Sequence, residues 1–258
     1  MRKMQSLIFF FFVCLSKTAF PLSITSQDIA VIGDRIWKNE CGGKVEGLTH
    51  WNKGEEFGSF GIGHFIWYPE KNKGPFEETF PSLLLFLEEE GVILPDWLKK
   101  CVGCPWATLE EFQKKIESPE MISLRKFLFE TKNLQALFIV KRIEKTLEKA
   151  IKTTAEEEGT FKTFSELAKD PKGLYALIDY SNFKGLGLSS TESYKGHKWG
   201  LLQVLEKISP ASEDMTADFV KEAKDLLVER VNNAPPERGE EKWLRGWHNR
   251  IDTYLSSP

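Results

Sequence analysis

A glutamate at the end of an apolar helix face, followed by two further acids and a run of closely spaced glycines, is the part of this sequence best equipped for chemistry. "SQDIAVIGDRIWKNECGG", residues 26–43, places Ile29, Ile32, Ile36 and Trp37 at helical spacing, with Ser26 as N-cap and Gly42-Gly43 as the break. Glu40 follows Ile36 by four residues and Trp37 by three, so it shares the face of the apolar stripe. A carboxyl group there is partly desolvated, the setting in which a carboxylic acid keeps its proton and can act as a general acid. A solvated role explains it poorly, because a helix C-terminus favours cations. Glu55 and Glu56, in "NKGEE", are either a second carboxylate or plain turn residues, and Ser59 offers a hydroxyl that can position a water.

"GSFGIGHFIWYP", residues 58–69, gives up packing and backbone entropy at Gly58, Gly61 and Gly63, which implies that something approaches its backbone closely. Read as one unbroken strand from Phe57 to Tyr68, it puts Phe57, Ser59, Gly61, Gly63, Phe65 and Trp67 on one face, small in the middle and aromatic at the ends, like a groove. Phe60, Ile62, His64 and Ile66 share the other face, so His64 reads as a structural residue turned to the core.

The elements that must position these residues are mostly helical. Amphipathic spacing predicts helices in 80–91, 107–118, 121–132, 134–158, 172–183, 199–208, 216–231 and 240–255, while 45–68 reads as a small β-hairpin turning at "NKGEE". The charged stretch from Ala155 to Gly159 and the "NAPPERGE" segment read as connections, and Trp243 with Trp247, four apart, as a helix-packing seam. The fold class is mainly α, or α+β, with the hairpin near the N-terminus.

Residues 1–23 have the layout of a secretory signal: basic Arg2 and Lys3, then nine apolar residues from Leu7 to Leu15, too few to span a bilayer. The remainder, 24–258, is long enough for one domain or for two lobes around a cleft. Without Arg2, Lys3 and Lys17 it holds 32 basic against 38 acidic residues, a balance of −6 that argues against nucleic-acid binding. No second long apolar run predicts stable membrane insertion. Cys41, Cys101 and Cys104 remain, and in an oxidising compartment one structural disulfide is expected among them; "CVGC" lacks the second pair that a zinc site needs.

The stretch "FGIGH" behind Ser59, downstream of helix-terminal Glu40 and an acid-bearing turn, resembles the phage-type lysozymes and the wider lysozyme-like superfamily. "GWHNRIDTYL" is similar to the arginine-bearing last helix of those enzymes. The resemblance implies a lysozyme-like helical domain in which Glu40 is the catalytic acid, Glu55 or Glu56 stands nearest to the second acid, Ser59 takes the place of a threonine and His64 matches the motif histidine. "YKGHKWGLLQVL", residues 194–205, resembles the "GLMQ" element of lytic transglycosylases and goose-type lysozymes, which lines the sugar cleft. It makes Gln203, with Tyr180 and Asn182 of "DYSNFKG", candidates for the far wall, while Gly61 and Gly63 form the floor and Trp51 and Trp67 flank the groove as platforms for sugar rings. The implied activity is cleavage of the glycan strand of peptidoglycan, in the periplasm or outside the cell, by a hydrolase or a lytic transglycosylase. No metal or organic cofactor is implied. The alternatives are a chitinase-like glycosidase and a catalytically inactive wall-binding protein that keeps the groove.

Overall fold

The computed structural model describes residues 25–150, 156–188 and 193–256, with the side chains of 147–150 and 156–158 set aside. The proposed signal segment lies outside the described residues. Among the described residues ten α-helices follow in chain order: α1 Ser26–Cys41, α2 Phe80–Glu89, α3 Leu109–Lys114, α4 Pro119–Glu130, α5 Lys132–Ala150, α6 Glu156–Leu167, α7 Pro171–Lys184, α8 Leu201–Glu206, α9 Met215–Asn233 and α10 Glu241–Asp252. Strands β1 Thr49–His50, β2 Gly58–Phe60 and β3 Phe65–Trp67 form an antiparallel sheet in that order, and β4 Ser193–Tyr194 pairs with β5 His197–Lys198. The mainly helical class with a small antiparallel sheet agrees with the sequence. Among the described residues no helix is long and apolar enough to cross a membrane.

Helix α1 begins one residue earlier than its sequence signal. Thr25 is the N-cap, and its hydroxyl and the Asp28 carboxylate satisfy each other's backbone N–H groups in a capping box. The helix stops where Gly42 takes φ +60°, the left-handed conformation that glycine adopts without steric cost. Ile29, Ile32 and Ile36 bury against α5, and at Gly33 the helices come so close that a Cβ would sit 3.1 Å from Asn133 Oδ1.

Helix α7 is buried nearly all round, from Gly173 through Tyr180, as expected of a central helix. It packs against α1, α5, α6, α8 and α9, and α10 folds back along α9. The helices of the core thus meet around one helix that carries an acid, Asp179, in its middle.

The glycine-rich segment is not one strand. Gly61, at φ +75°, and His64, at φ +47°, both take left-handed conformations, and the chain reverses between β2 and β3. The continuous face proposed for Phe57 to Trp67 is therefore broken at the turn. What approaches the glycines is protein: Gln135, wholly buried, accepts from Ile62 N at 2.9 Å and donates to Leu128 O and Thr131 Oγ1, and its Oε1 lies 2.4 Å from where a Gly61 Cβ would stand. At Gly63 a Cβ would meet the Phe65 ring at 2.5 Å. Gly61→Ala, forced into a left-handed backbone and onto the amide that satisfies Ile62, should cost about 2 kcal/mol in urea denaturation; a loss below about 0.5 kcal/mol would show that the turn relaxes freely.

Candidate functional site

The end of α1, the middle of α7 and the last turns of α10 bring three charges together. Tyr175, Asp179 and Phe183 recur every fourth residue along α7, so they form one stripe, and Arg250 of α10 lies across it. Its Nε donates to Asp179 Oδ2 at 2.8 Å and its Nη2 to Asp179 Oδ1 at 2.9 Å, while Nη2 also donates to Glu40 Oε1 in a close ion pair. The guanidinium rests 4.2 Å from the Phe183 ring centre. Asp179, 0% exposed, further accepts from Tyr254 OH at 2.7 Å and Asn39 Nδ2 at 3.2 Å, so its buried charge is fully solvated by donors. Burial works against the charge on Arg250, but the hydrogen bonds and charges of Asp179 and then Glu40 outweigh it and hold its pKa above the ordinary value.

Glu40 keeps 16% of its side chain exposed, and Asn39 beside it also donates to Tyr175 OH at 2.6 Å. One turn back on α1, Arg35 donates to Thr253 O at 2.7 Å and Ser256 O at 3.1 Å, with its guanidinium 4.3 Å from the Tyr175 ring centre, and so fastens the chain after α10 to the first helix. Burial alone, the expectation from sequence, is thus not what governs Glu40. Its carboxyl group faces a cation from a residue 210 positions away.

The other predicted residues disperse. Glu56 is exposed, whereas Glu55 is half-buried and its Oε2 is buried without a hydrogen-bond partner. Ser59 is buried in the middle strand, opposite His50 and Ile66. Trp51 and Trp67 are core residues rather than platforms: Trp51 packs on Phe112 and donates Nε1 to Glu55 O at 2.8 Å, and Trp67 packs on Phe60 and Phe80. Gly61 and Gly63 are filled against by Gln135 and Phe65, so neither is a floor for a ligand. His64 is half-buried, with Nε2 lacking a partner. Tyr180 is wholly buried and donates to Trp199 O at 2.8 Å, which removes it from any cleft wall. Gln203 caps α8, accepting from Gly200 N at 3.1 Å, and presses on Gly187.

Asn182 does line a cavity. A space of about 350 Å³ lies between Phe65 of β3, Arg142 and Thr146 of α5, Ser181 and Asn182 of α7, and the loop from Gly185 to Leu188. Arg142, half-buried, pairs with the exposed Glu77 at its rim at 2.8 Å. Phe65, Ile139, Ile143 and Leu186 make an apolar surface beside the hydroxyls of Thr146 and Ser181 and the Asn182 amide, a combination suited to an amphiphilic ligand with hydroxyl groups. Glu40 is not among the residues lining this cavity. Asn182, three residues beyond Asp179, ties the cavity to the charged cluster through one turn of α7.

Sequence reasoning missed Asp179 and Ser181 as participants, and it reached Arg250 only through the resemblance of "GWHNRIDTYL" to an arginine-bearing last helix. An acid inside the apolar run "LYALIDY" was the available signal, since a carboxylate buried at such a position needs a partner. The expected disulfide is absent: Cys41, Cys101 and Cys104 are free thiols. Burial pushes all three up, and for Cys41, also facing the charge of Glu40, and for Cys104 the pKa reaches about 12. Among the described residues no group of His, Cys, Asp and Glu is arranged to hold a metal ion. Comparison with protein-family models, curated sequences and solved structures finds no match for this chain.

Proposed function

We propose that this protein is an exported glycosidase that cleaves the glycan strand of peptidoglycan, with Glu40 as proton donor. The observation that carries the reading is the assembly of a part-exposed glutamate at the end of the first helix with the arginine of the last. In the reaction Glu40 gives its proton to the glycosidic oxygen as the bond from that oxygen to the anomeric carbon breaks. Negative charge then develops on Glu40 beside Arg250, whose orientation is already fixed by Asp179, so the acid's conjugate base forms next to a preorganised cation. Glu55 is favoured over Glu56 as the second carboxylate because its buried oxygen lacks a partner in the fold. It would activate a water for inversion or attack directly; alternatively the 6-hydroxyl of the muramoyl residue attacks and an anhydro sugar results. The cavity of Ser181, Asn182 and Thr146 would seat a neighbouring sugar.

A second reading, a wall-binding module without chemistry, is favoured by the glycines that pack on Gln135 and Phe65 instead of lining a groove. Digestion of purified peptidoglycan with wild type and Glu40→Gln, followed by mass analysis, separates the two. The glycosidase predicts released muropeptides and a loss of at least about 100-fold in Glu40→Gln; products differing by one water distinguish hydrolysis from transglycosylation. Wall binding without release selects the silent module, and release from chitin alone selects a chitinase.

A further inference from the structure

We propose that Asp179 is a positioning residue for the proton donor: it takes up most of the Arg250 guanidinium and leaves Glu40 as the carboxylate that carries the proton. The inference rests on Glu40 being that donor. Two carboxylates share one guanidinium, so with both acids ionised the trio holds one uncompensated negative charge, and that is where a proton enters. The two acids are not equivalent. Asp179 is wholly buried and accepts four hydrogen bonds, from Arg250 Nε and Nη2, Tyr254 and Asn39. Glu40 receives one Nη2 hydrogen and keeps contact with solvent. Protonating Asp179 would break up the parallel pair with Arg250 at a wholly buried position, whereas protonating Glu40 releases a single bond at a part-exposed one where solvent can replace it.

Among the described residues, the neighbouring thiol and phenols add no competing anion. Cys41 on α1, Tyr175 on α7 and Tyr254 after α10 all have raised pKa values, burial being the first cause in each, and stay neutral around neutral pH. Arg35 on α1 is turned to Thr253, Ser256 and the Tyr175 ring, and Lys184 on α7 lies against the Phe183 ring that also carries Arg250.

The test is the pH profile of glycan release by wild type and Asp179→Asn. With Asp179 uncharged, the whole of Arg250 falls on Glu40, and the alkaline limb of the profile should move to lower pH. A uniform fall in rate with an unmoved limb would mean that Asp179 only supports the fold, and the proposal fails. A readout independent of activity is the carbon-13 NMR titration of the Glu40 carboxyl, assigned by its disappearance in Glu40→Gln. A midpoint that falls in Asp179→Asn supports the proposal, and one that is unchanged or higher overturns it. Where the midpoint falls but no glycan is released, the glycosidase reading fails and the division of Arg250 between the acids stands. Should Asp179→Asn not fold, Tyr254→Phe removes a donor from Asp179, turns it more fully on Arg250 and should raise the Glu40 midpoint; no rise overturns the proposal.

Discussion

Lys184→Met is expected to stabilise the protein by about 2 kcal/mol at pH 7, raising Tm by roughly 4–8 °C. Lys184 ends α7 and is 8% exposed. Its Nζ sits 3.3 Å from the Trp247 ring centre and 4.0 Å from that of Phe183, and among the described residues no carboxylate pairs with it. Burial and then the charge of Arg230, with Arg250 adding to them and Glu240 opposing, push its pKa down to about 6. Between that value and the unfolded value of 10.5 the unfolded chain binds a proton that the folded chain does not, so stability should rise with pH across this window. At the acid end the cost approaches about 6 kcal/mol, from which the facing rings recover roughly 1–2 kcal/mol by attracting whatever ammonium forms. Methionine keeps the stem against the rings and removes the amine. Denaturant melts from pH 6 to 9 should show a rising stability for wild type and a flatter line for the variant. A variant that melts below wild type at pH 7 would show that the rings hold the amine charged.

The local parts of this fold are written in short-range patterns and the site is not. The end of α1 was legible because Gly42 follows a 3.6-residue apolar stripe, though the cap moved from Ser26 to Thr25, since either hydroxyl satisfies the pattern. The glycine segment misled because alternating residues fit one long strand and a hairpin equally well; only the left-handed backbone at Gly61 and His64 decides, and the histidine, a residue type enriched in that conformation, is too weak a signal to choose between them. The predicted helix over 134–158 corresponds to α5, which ends at Ala150, and to the start of α6, which carries Gly159 inside a helix where a connection was expected. The spacing of Trp51 and Trp67 suits the flanks of a groove, but large aromatic rings next to small glycines fill the core, which is where their area is worth most. Likewise, Trp243 and Trp247 stack 6.0 Å apart, yet Trp243 is 42% exposed, so the seam is only half buried. Glu40, Asp179 and Arg250 meet across separations of 71 and 210 residues, and no spacing rule reaches that far. What the sequence offered was the oddity of each member: an acid at the wrong helix end, an acid in an apolar run, and an arginine on an aromatic-rich last helix.

Glu240→Gln should destabilise the protein by roughly 3–5 kcal/mol at pH 7, the cost of leaving a buried cation without its partner. Glu240 is 1% exposed and accepts from Arg230 Nε at 2.7 Å and Nη2 at 2.9 Å, from Tyr194 OH at 2.8 Å and from Arg238 Nε at 3.0 Å. Arg230, itself largely buried, lies 4.2 Å from the Trp199 ring centre, so the carboxylate pins the β4–β5 hairpin and α9 to the start of α10. Burial alone would raise the pKa of Glu240, but the hydrogen bonds of Arg230 and Tyr194, the charge of Arg230 and the Arg238 bond hold it at about 2. Its folded value is depressed, so its contribution is fully present above the unfolded value of 4.5 and is lost as pH falls toward 2. Denaturation at pH 7 and at pH 3 should therefore show a much larger gap between the proteins at pH 7. Glu240 is also the anion whose charge opposes the depression at Lys184. In Glu240→Gln that opposition is gone, and Lys184→Met should recover more stability there than in the wild-type background. A double-mutant cycle reads this directly: a coupling near zero would mean that the two residues do not sense each other, and a coupling of about 1 kcal/mol or more would tie the neutral lysine to the carboxylate that anchors the last helix.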